Sequence, residues 1–115
     1  MNGAPPAINI TATPNNPPIQ IPAQGGSFTY FVQLQNNTGK DQTVQVWAHI
    51  VKTDRLGERA FVMDVPIGQG QTVEQNLTQN ISSQLAPGEY NFVVSTGFYP
   101  NAIDTASFQF SKLAP

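Results

Sequence analysis

Cysteine is absent from the chain, and charge is scarce: Asp, Glu, Lys and Arg together make 10% of the residues, against an average near 25%. The first absence excludes a disulfide framework, thiolate ligation of a metal and a cysteine nucleophile. It also points away from small secreted eukaryotic domains and towards a bacterial source. The second removes any strong electrostatic field. The net charge is −2, and the five cations (Lys40, Lys52, Arg55, Arg59, Lys112) are scattered. Nucleic-acid binding, which needs a basic stripe to displace counterions, is excluded as a partner class. So is a basic patch for anionic membranes. No apolar run reaches the length of a membrane-spanning helix, so no membrane insertion is expected. The first residues, Met1 to Pro6, carry neither a basic nor an apolar leader region. A leader is therefore expected to have been removed, or the chain to be cut from a longer one. Residues 1–6 read as a linker or an added start, and the Pro-rich stub 113–115 as a second linker.

What fills the surface in place of charge is Gln, Asn, Thr and Ser, a composition that points to the outside of a bacterial cell or its periplasm. The length of 115 residues predicts a single domain, 7–112, able to bury roughly two-thirds of its unfolded surface. Apolar residues alternate with polar ones along most of the chain, and no segment shows a helical period. Turn residues recur at about ten-residue intervals, the spacing of sandwiches and barrels. Strands are predicted over 7–13, a short piece around Ile19 and Ile21, 27–36, 42–52, 59–65, 71–81, 89–99 and 104–112. Hairpin or loop segments lie between them, at 53–58, 66–70 and 100–102 among others. The inward sets are Ile8, Ile10 and Ala12; Phe28, Tyr30, Val32 and Leu34; Val44, Val46, Ala48 and Ile50; Tyr90, Phe92, Val94, Thr96 and Phe98; Ala106, Phe108 and Phe110. The expected fold is an all-β, two-sheet antiparallel β-sandwich of seven to eight strands with immunoglobulin-like topology. A hairpin-only barrel is the alternative architecture.

Leu85-Ala86-Pro87-Gly88-Glu89-Tyr90 places a Pro-Gly turn directly before an inward tyrosine. This looks like a tyrosine corner, in which the hydroxyl bonds back to the backbone upstream. Taken with Asn36-Asn37-Thr38-Gly39, the chain resembles bacterial immunoglobulin-like and fibronectin-type-III-like surface modules, nearest to the cell-adhesion-related domain found in bacteria. It departs from that pattern at Pro66-Ile67-Gly68-Gln69-Gly70-Gln71, which keeps the turn residues without the tight Pro-Gly pair. The resemblance implies a sandwich repeated along a surface protein, with adhesive or spacing duty and no active site. Tyr90, Pro87 and Gly88 are the structural residues it marks.

Catalysis finds little support. His49 is the single histidine, placed mid-strand, and Asp41 and Asp54 lie in loops at either end, which is not the geometry of a triad. Zinc lacks ligands. For calcium, Asn36, Asn37 and Asp41 should gather with Asn101 and Asp104 at one end, but two carboxylates are few and these residue types also serve turns. No metal and no cofactor are expected. Four sequons (Asn9, Asn36, Asn76 and Asn80 as acceptors) are read as chance in an Asn/Thr-rich chain. Lys52 and Lys112 are strand-end candidates for an intramolecular isopeptide bond, without an evident inward acid.

The inward phase of 42–52 turns Trp47 and His49 to the outer face. Val93, Ser95, Gly97 and Tyr99 from 89–99, and Ser107 and Gln109 from 104–112, share that face. Trp47, His49, Tyr99 and Gln109 form the candidate ligand-binding face, with Gly97 leaving room beside the indole. Flat aromatics among neutral hydrogen-bonding groups suit a sugar ring or a protein surface. Alternatively Trp47 is the core tryptophan of immunoglobulin-type domains, or is outward but covered. The expected function is a non-catalytic structural or adhesion module of a bacterial secreted or cell-surface protein. Its partners would be neighbouring domains, another surface protein or a polysaccharide. A carbohydrate-binding module and an accessory domain of a secreted enzyme are the alternatives.

Overall fold

The computed structural model describes the backbone of residues 7–52 and 55–115, and the side chains outside 53–60. The N-terminal linker 1–6 and the tip of the expected 53–58 hairpin lie outside the described residues. Among the described residues eight strands form: β1 (Ile8–Pro14), β2 (Ile19–Ile21), β3 (Gly26–Asn36), β4 (Gln42–Lys52), β5 (Arg55–Ile67), β6 (Thr72–Ile81), β7 (Gly88–Phe98) and β8 (Asn101–Lys112). They make two sheets, β1-β3-β6 and β2-β8-β7-β4-β5. This is an immunoglobulin-like β-sandwich, all β.

Alternation fixes which side each strand buries. Phe28, Tyr30, Val32 and Leu34 of β3 meet Val44, Val46 and Ala48 of β4 and Tyr90, Phe92 and Val94 of β7 in one core. Aromatic rings dominate its centre. Phe92 sits edge-on to Phe28 and Tyr30 at 5.2 and 5.1 Å, and Tyr90 stacks on Phe110 at 5.3 Å. Such pairs add about 1 kcal/mol each to the burial of their area.

The Pro-rich stretch after β1 is where the chain changes sheets. β1 pairs antiparallel with β3, whereas β2 runs parallel to β8. Prolines cannot donate to a ladder, so they suit the crossing between two edges. Asn15 ends the first ladder, its amide donating to the Thr29 carbonyl at 3.1 Å and its side chain to Thr29 Oγ1 and Asn76 Oδ1.

Two strands are longer than the sequence pattern predicts. β5 begins at Arg55, because Lys52↔Arg55 and Val51↔Leu56 continue the hairpin that was placed as turn. It runs on through Pro66 and Ile67, pairing with Thr43 and Gln42, which an edge strand tolerates. β8 begins at Asn101, paired to Phe98 across a two-residue turn.

Asp104 faces the core side of β8, opposite Thr96. Its Oδ2 accepts the Ile10 amide of β1 at 2.9 Å. That amide points away from β3, so a carboxylate from the opposite sheet satisfies the exposed edge of β1. The variant Asp104→Ala is expected to lose about 2 kcal/mol of stability, the worth of a hydrogen bond to a charged group. Denaturant titration followed by the emission of the single tryptophan measures it. An unchanged midpoint would show that water replaces the carboxylate at no cost.

Candidate functional site

The outer face of the five-stranded sheet is built from rows across β5, β4, β7 and β8. One row is Val62, Trp47, Ser95 and Thr105; the next contains His49, Val93 and Ser107; a third contains Val51, Asn91 and Gln109. Trp47 lies on this face, outside the core cluster, as the phase of β4 dictates. It is nevertheless only 3% exposed. The Tyr99 ring stands edge-on to the indole, centroids 5.1 Å apart at 85°. The Tyr99 amide donates to Gln45 Oε1 at 2.9 Å, which holds the β7–β8 turn down over β4. The expectation of an open aromatic platform is corrected here: Trp47 is outward but covered, and its ring is not available to stack on a ligand. Sequence periodicity gives the direction of a side chain, not what folds back over it.

The four candidate residues do not converge. Tyr99 joins Trp47 at one end. Phe98, expected inward, is instead half-exposed, because it is the last residue of β7, paired to Asn101 at the turn, where the core has ended. His49 is partly buried one row away, and Gln109 is exposed another row beyond. Thr105 and Gln109 are four residues apart on β8, about 13 Å along an extended strand. Gly97 also has a different reason from the one expected. At φ +154° a Cβ would come within 2.7 Å of the Ile103 amide nitrogen and collide with the Asn101 carbonyl oxygen. The register shift between Thr96 and Gly97 brings the β8 backbone close, and only glycine fits.

The polar groups that the fold does bury tie loops together. Asn36, 1% exposed, holds its Nδ2 at 2.9–3.1 Å from the carbonyl oxygens of Lys40, Ile67 and Gly68. Its Oδ1 accepts from Thr38 N and Thr38 Oγ1 at 2.9 and 2.6 Å. One amide thus clamps the β3–β4 loop to the β5–β6 turn, with no capacity left for a cation or a glycan. Asp41 accepts the Gln69 amide at 2.9 Å. The acids expected to gather for calcium serve backbone amides instead. Among the described residues no group of three or more His, Cys, Asp or Glu could hold a metal ion.

Lys112 forms the second clamp. It is 4% exposed, and its Nζ donates to the carbonyl oxygens of Leu85, Ala23 and Ser83 at 2.9, 3.1 and 3.3 Å. Three donors meet three acceptors, so an ammonium can be buried without a carboxylate. Lys52 Nζ lies 5.4 Å over the Tyr90 ring and 3.4 Å from the Pro87 carbonyl. The amines considered for isopeptide chemistry are thus turned to backbone carbonyls.

The Tyr90 hydroxyl donates to the Ala86 carbonyl at 2.6 Å, closing the turn that carries Pro87 and Gly88. Tyr90→Phe is expected to lower stability by about 1 kcal/mol, read from the same denaturant curve. No loss would mean the corner contributes packing alone. Tyr30 differs: its side chain is fully buried and its hydroxyl has no hydrogen-bond partner. Burial pushes its pKa far above the ordinary tyrosine range. The native state therefore favours the neutral phenol. Stability is fully present below the unfolded-state pKa near 10 and falls as pH rises above it. Tyr30→Phe should be neutral or stabilising at pH 7 and should flatten this alkaline loss. A steeper loss in the variant would contradict the assignment.

Missed by periodicity were Asn36, read as a loop residue, and Lys112, read as a strand end. Both continue the inward phase of their strands beyond the last apolar residue, and that was the usable signal.

No family model matches the chain, and no curated protein matches it. Solved structures do. A β-glucuronidase from glycoside hydrolase family 2 superposes with TM-score 0.68 at 16% identity, over 90% of this chain and 12% of that one. An alkylpurine DNA glycosylase from Pseudomonas fluorescens, bound to DNA containing an abasic-site analogue, gives 0.66 at 19% identity, over 95% and 31%. The CARDB domain of a Pyrococcus furiosus protein, in complex with di-metal ions, gives 0.63 at 16% identity, over the full length of both chains. The chain therefore spans a minor part of the two enzymes and the whole of the third structure, and what all three share with it is the immunoglobulin-like β-sandwich fold.

Proposed function

We propose that the chain is a non-catalytic accessory module of a larger bacterial secreted or cell-surface protein, where it spaces or docks neighbouring domains. The observation that carries this reading is the use made of buried polar groups. Among the described residues, Asn36, Lys112, Thr96 and Ser95 are the buried polar or charged ones. The first three hold backbone carbonyls, and Ser95 meets the Thr105 hydroxyl. They fix loops and strand ends, as a scaffold requires, and offer no nucleophile beside a base. The full-length likeness to a separate domain and the partial likeness to larger enzymes support the same reading, through fold alone.

Sugar recognition on the outer sheet face now rests on Tyr99, the aromatic residue of the candidate set that remains partly open there, rather than on Trp47. Because Tyr99 touches the indole, a ligand at that end would perturb Trp47 emission. The test is a panel of polysaccharides and chromogenic glycosides and esters offered to the isolated chain. The accessory reading predicts no turnover. Turnover abolished by His49→Ala would overturn it, and a saturable Trp47 response to one polysaccharide would replace spacing by sugar binding.

A further inference from the structure

The sandwich has four strand edges, and three are guarded. β1 ends in Pro14, and its Ile10 amide is taken by Asp104. β2 is three residues long and lies between Pro18 and Pro22. β5 carries Pro66 and the charged residues Arg55, Glu58, Arg59 and Asp64, and its pairing shifts register twice. Short strands, proline, charge and irregular register are the devices that stop edges from pairing with other chains.

β6 has none of them. It runs for ten residues without proline or lysine, with Glu74 as its single charge, and pairs with β3 in unbroken register. The Gln71 carbonyl accepts the Asn36 amide of β3. In an antiparallel ladder that sets the odd residues of β6 towards β3 and the even ones, Thr72, Glu74, Asn76 and Thr78, towards the open edge. The last outward carbonyl, Asn80, is covered by the Gln79 side chain at 2.9 Å. Beneath this edge the two sheets do not close. A cleft of about 410 Å³ lies between β5 and β6, lined by Phe61, Met63, Leu77 and Gln79 among others, with Tyr30 in its wall. Leu77 is only partly buried along it, as is Val73 further along the same face of β6.

We propose that β6 pairs antiparallel with β6 of a second copy, joining the two three-stranded sheets into one of six strands. The two-fold axis at Leu77 gives nearly full overlap. It sets Leu77 against Leu77 of the second copy in a close, non-hydrogen-bonded position over the cleft. Gln75 then faces Gln79, and Glu74 faces Asn80 rather than its own copy, avoiding like charges directly opposite. This strand is its own best-matched partner: neutral, with leucine at its centre and amides on both sides. An isologous pair uses up the unguarded edge, so association stops at two rather than running into fibres.

The native chain is expected to sediment as a concentration-dependent dimer. Thr78→Pro, which removes an N–H aimed away from β3, should give a monomer with native Trp47 emission, and Thr78→Lys should do the same. In this cysteine-free chain Leu77→Cys should cross-link to itself on mild oxidation, since Cα atoms in such a pair lie about 4.5 Å apart, whereas Ser107→Cys on the other sheet should not. A native chain monomeric at all concentrations, or one that is monomeric yet captures added extended peptides, would overturn the proposal. So would a dimer that both Thr78 variants leave intact.

Discussion

Asn36→Asp is expected to destabilise the fold by on the order of 4 kcal/mol at neutral pH. The change is nearly isosteric, so packing is preserved and the effect isolates the hydrogen-bond donor. In the native chain Nδ2 faces the carbonyls of Lys40, Ile67 and Gly68 in a site that excludes water. An ionised carboxylate there would turn oxygen against three oxygens. The same substitution leaves Oδ1 able to accept from Thr38, so the loss comes from one side of the residue. The penalty belongs to the charged form, so it should shrink as pH falls towards about 4 and level off below it, where the unfolded Asp is protonated too and only the lost donor remains. Denaturant midpoints measured from pH 7 to pH 3, against the native chain at each pH, give the result. A deficit below 1 kcal/mol at pH 7 would mean that the β3–β4 loop rearranges and that Asn36 is not a clamp.

Lys112→Met should cost about 3 kcal/mol, within the range expected when a hydrogen-bonded buried charge is removed from its partners. Methionine retains the apolar stem, so the loss reports the ammonium. Ala23 belongs to the β2–β3 connection and Ser83 and Leu85 to the β6–β7 connection; both lose their shared anchor. Lys112→Arg should not restore the loss, because a planar fork cannot meet three converging carbonyls as a tetrahedral ammonium does. The loosened loops should exchange their amides faster than the core strands do. Equal stability in the methionine variant would show that water satisfies the three carbonyls without cost.

These two residues also mark where the sequence stops being legible. The strands and their inward faces follow from period-two alternation, because burial on one side is a strong, local constraint. The strand break between Thr13 and Ile19 and the tyrosine turn at Pro87 to Tyr90 follow from backbone chemistry that few residues allow, whereas the change of sheet at that break does not. The extra length of β5 does not, since Arg55 and Leu56 pair with Lys52 and Val51 in a segment whose Leu56-Gly57 also suits a turn. Polar residues in the interior are harder still. Asn36 and Lys112 are of types usually found in loops and at strand ends, and only the convergence of distant carbonyls makes their burial favourable. For Trp47 the phase of β4 was readable, but the cover supplied by Tyr99 depends on a turn held by Gln45, fifty-four residues away in the chain.

The β-sandwich is closed over its tryptophan and held at its ends by buried polar clamps. The most direct test of this closure is equilibrium unfolding of the isolated chain, followed at once by Trp47 emission, acrylamide quenching and far-ultraviolet circular dichroism. Native emission should be blue-shifted and protected from the quencher, with a single transition that coincides in all probes. Red-shifted, freely quenched emission in the native state, or transitions that separate between probes, would contradict it.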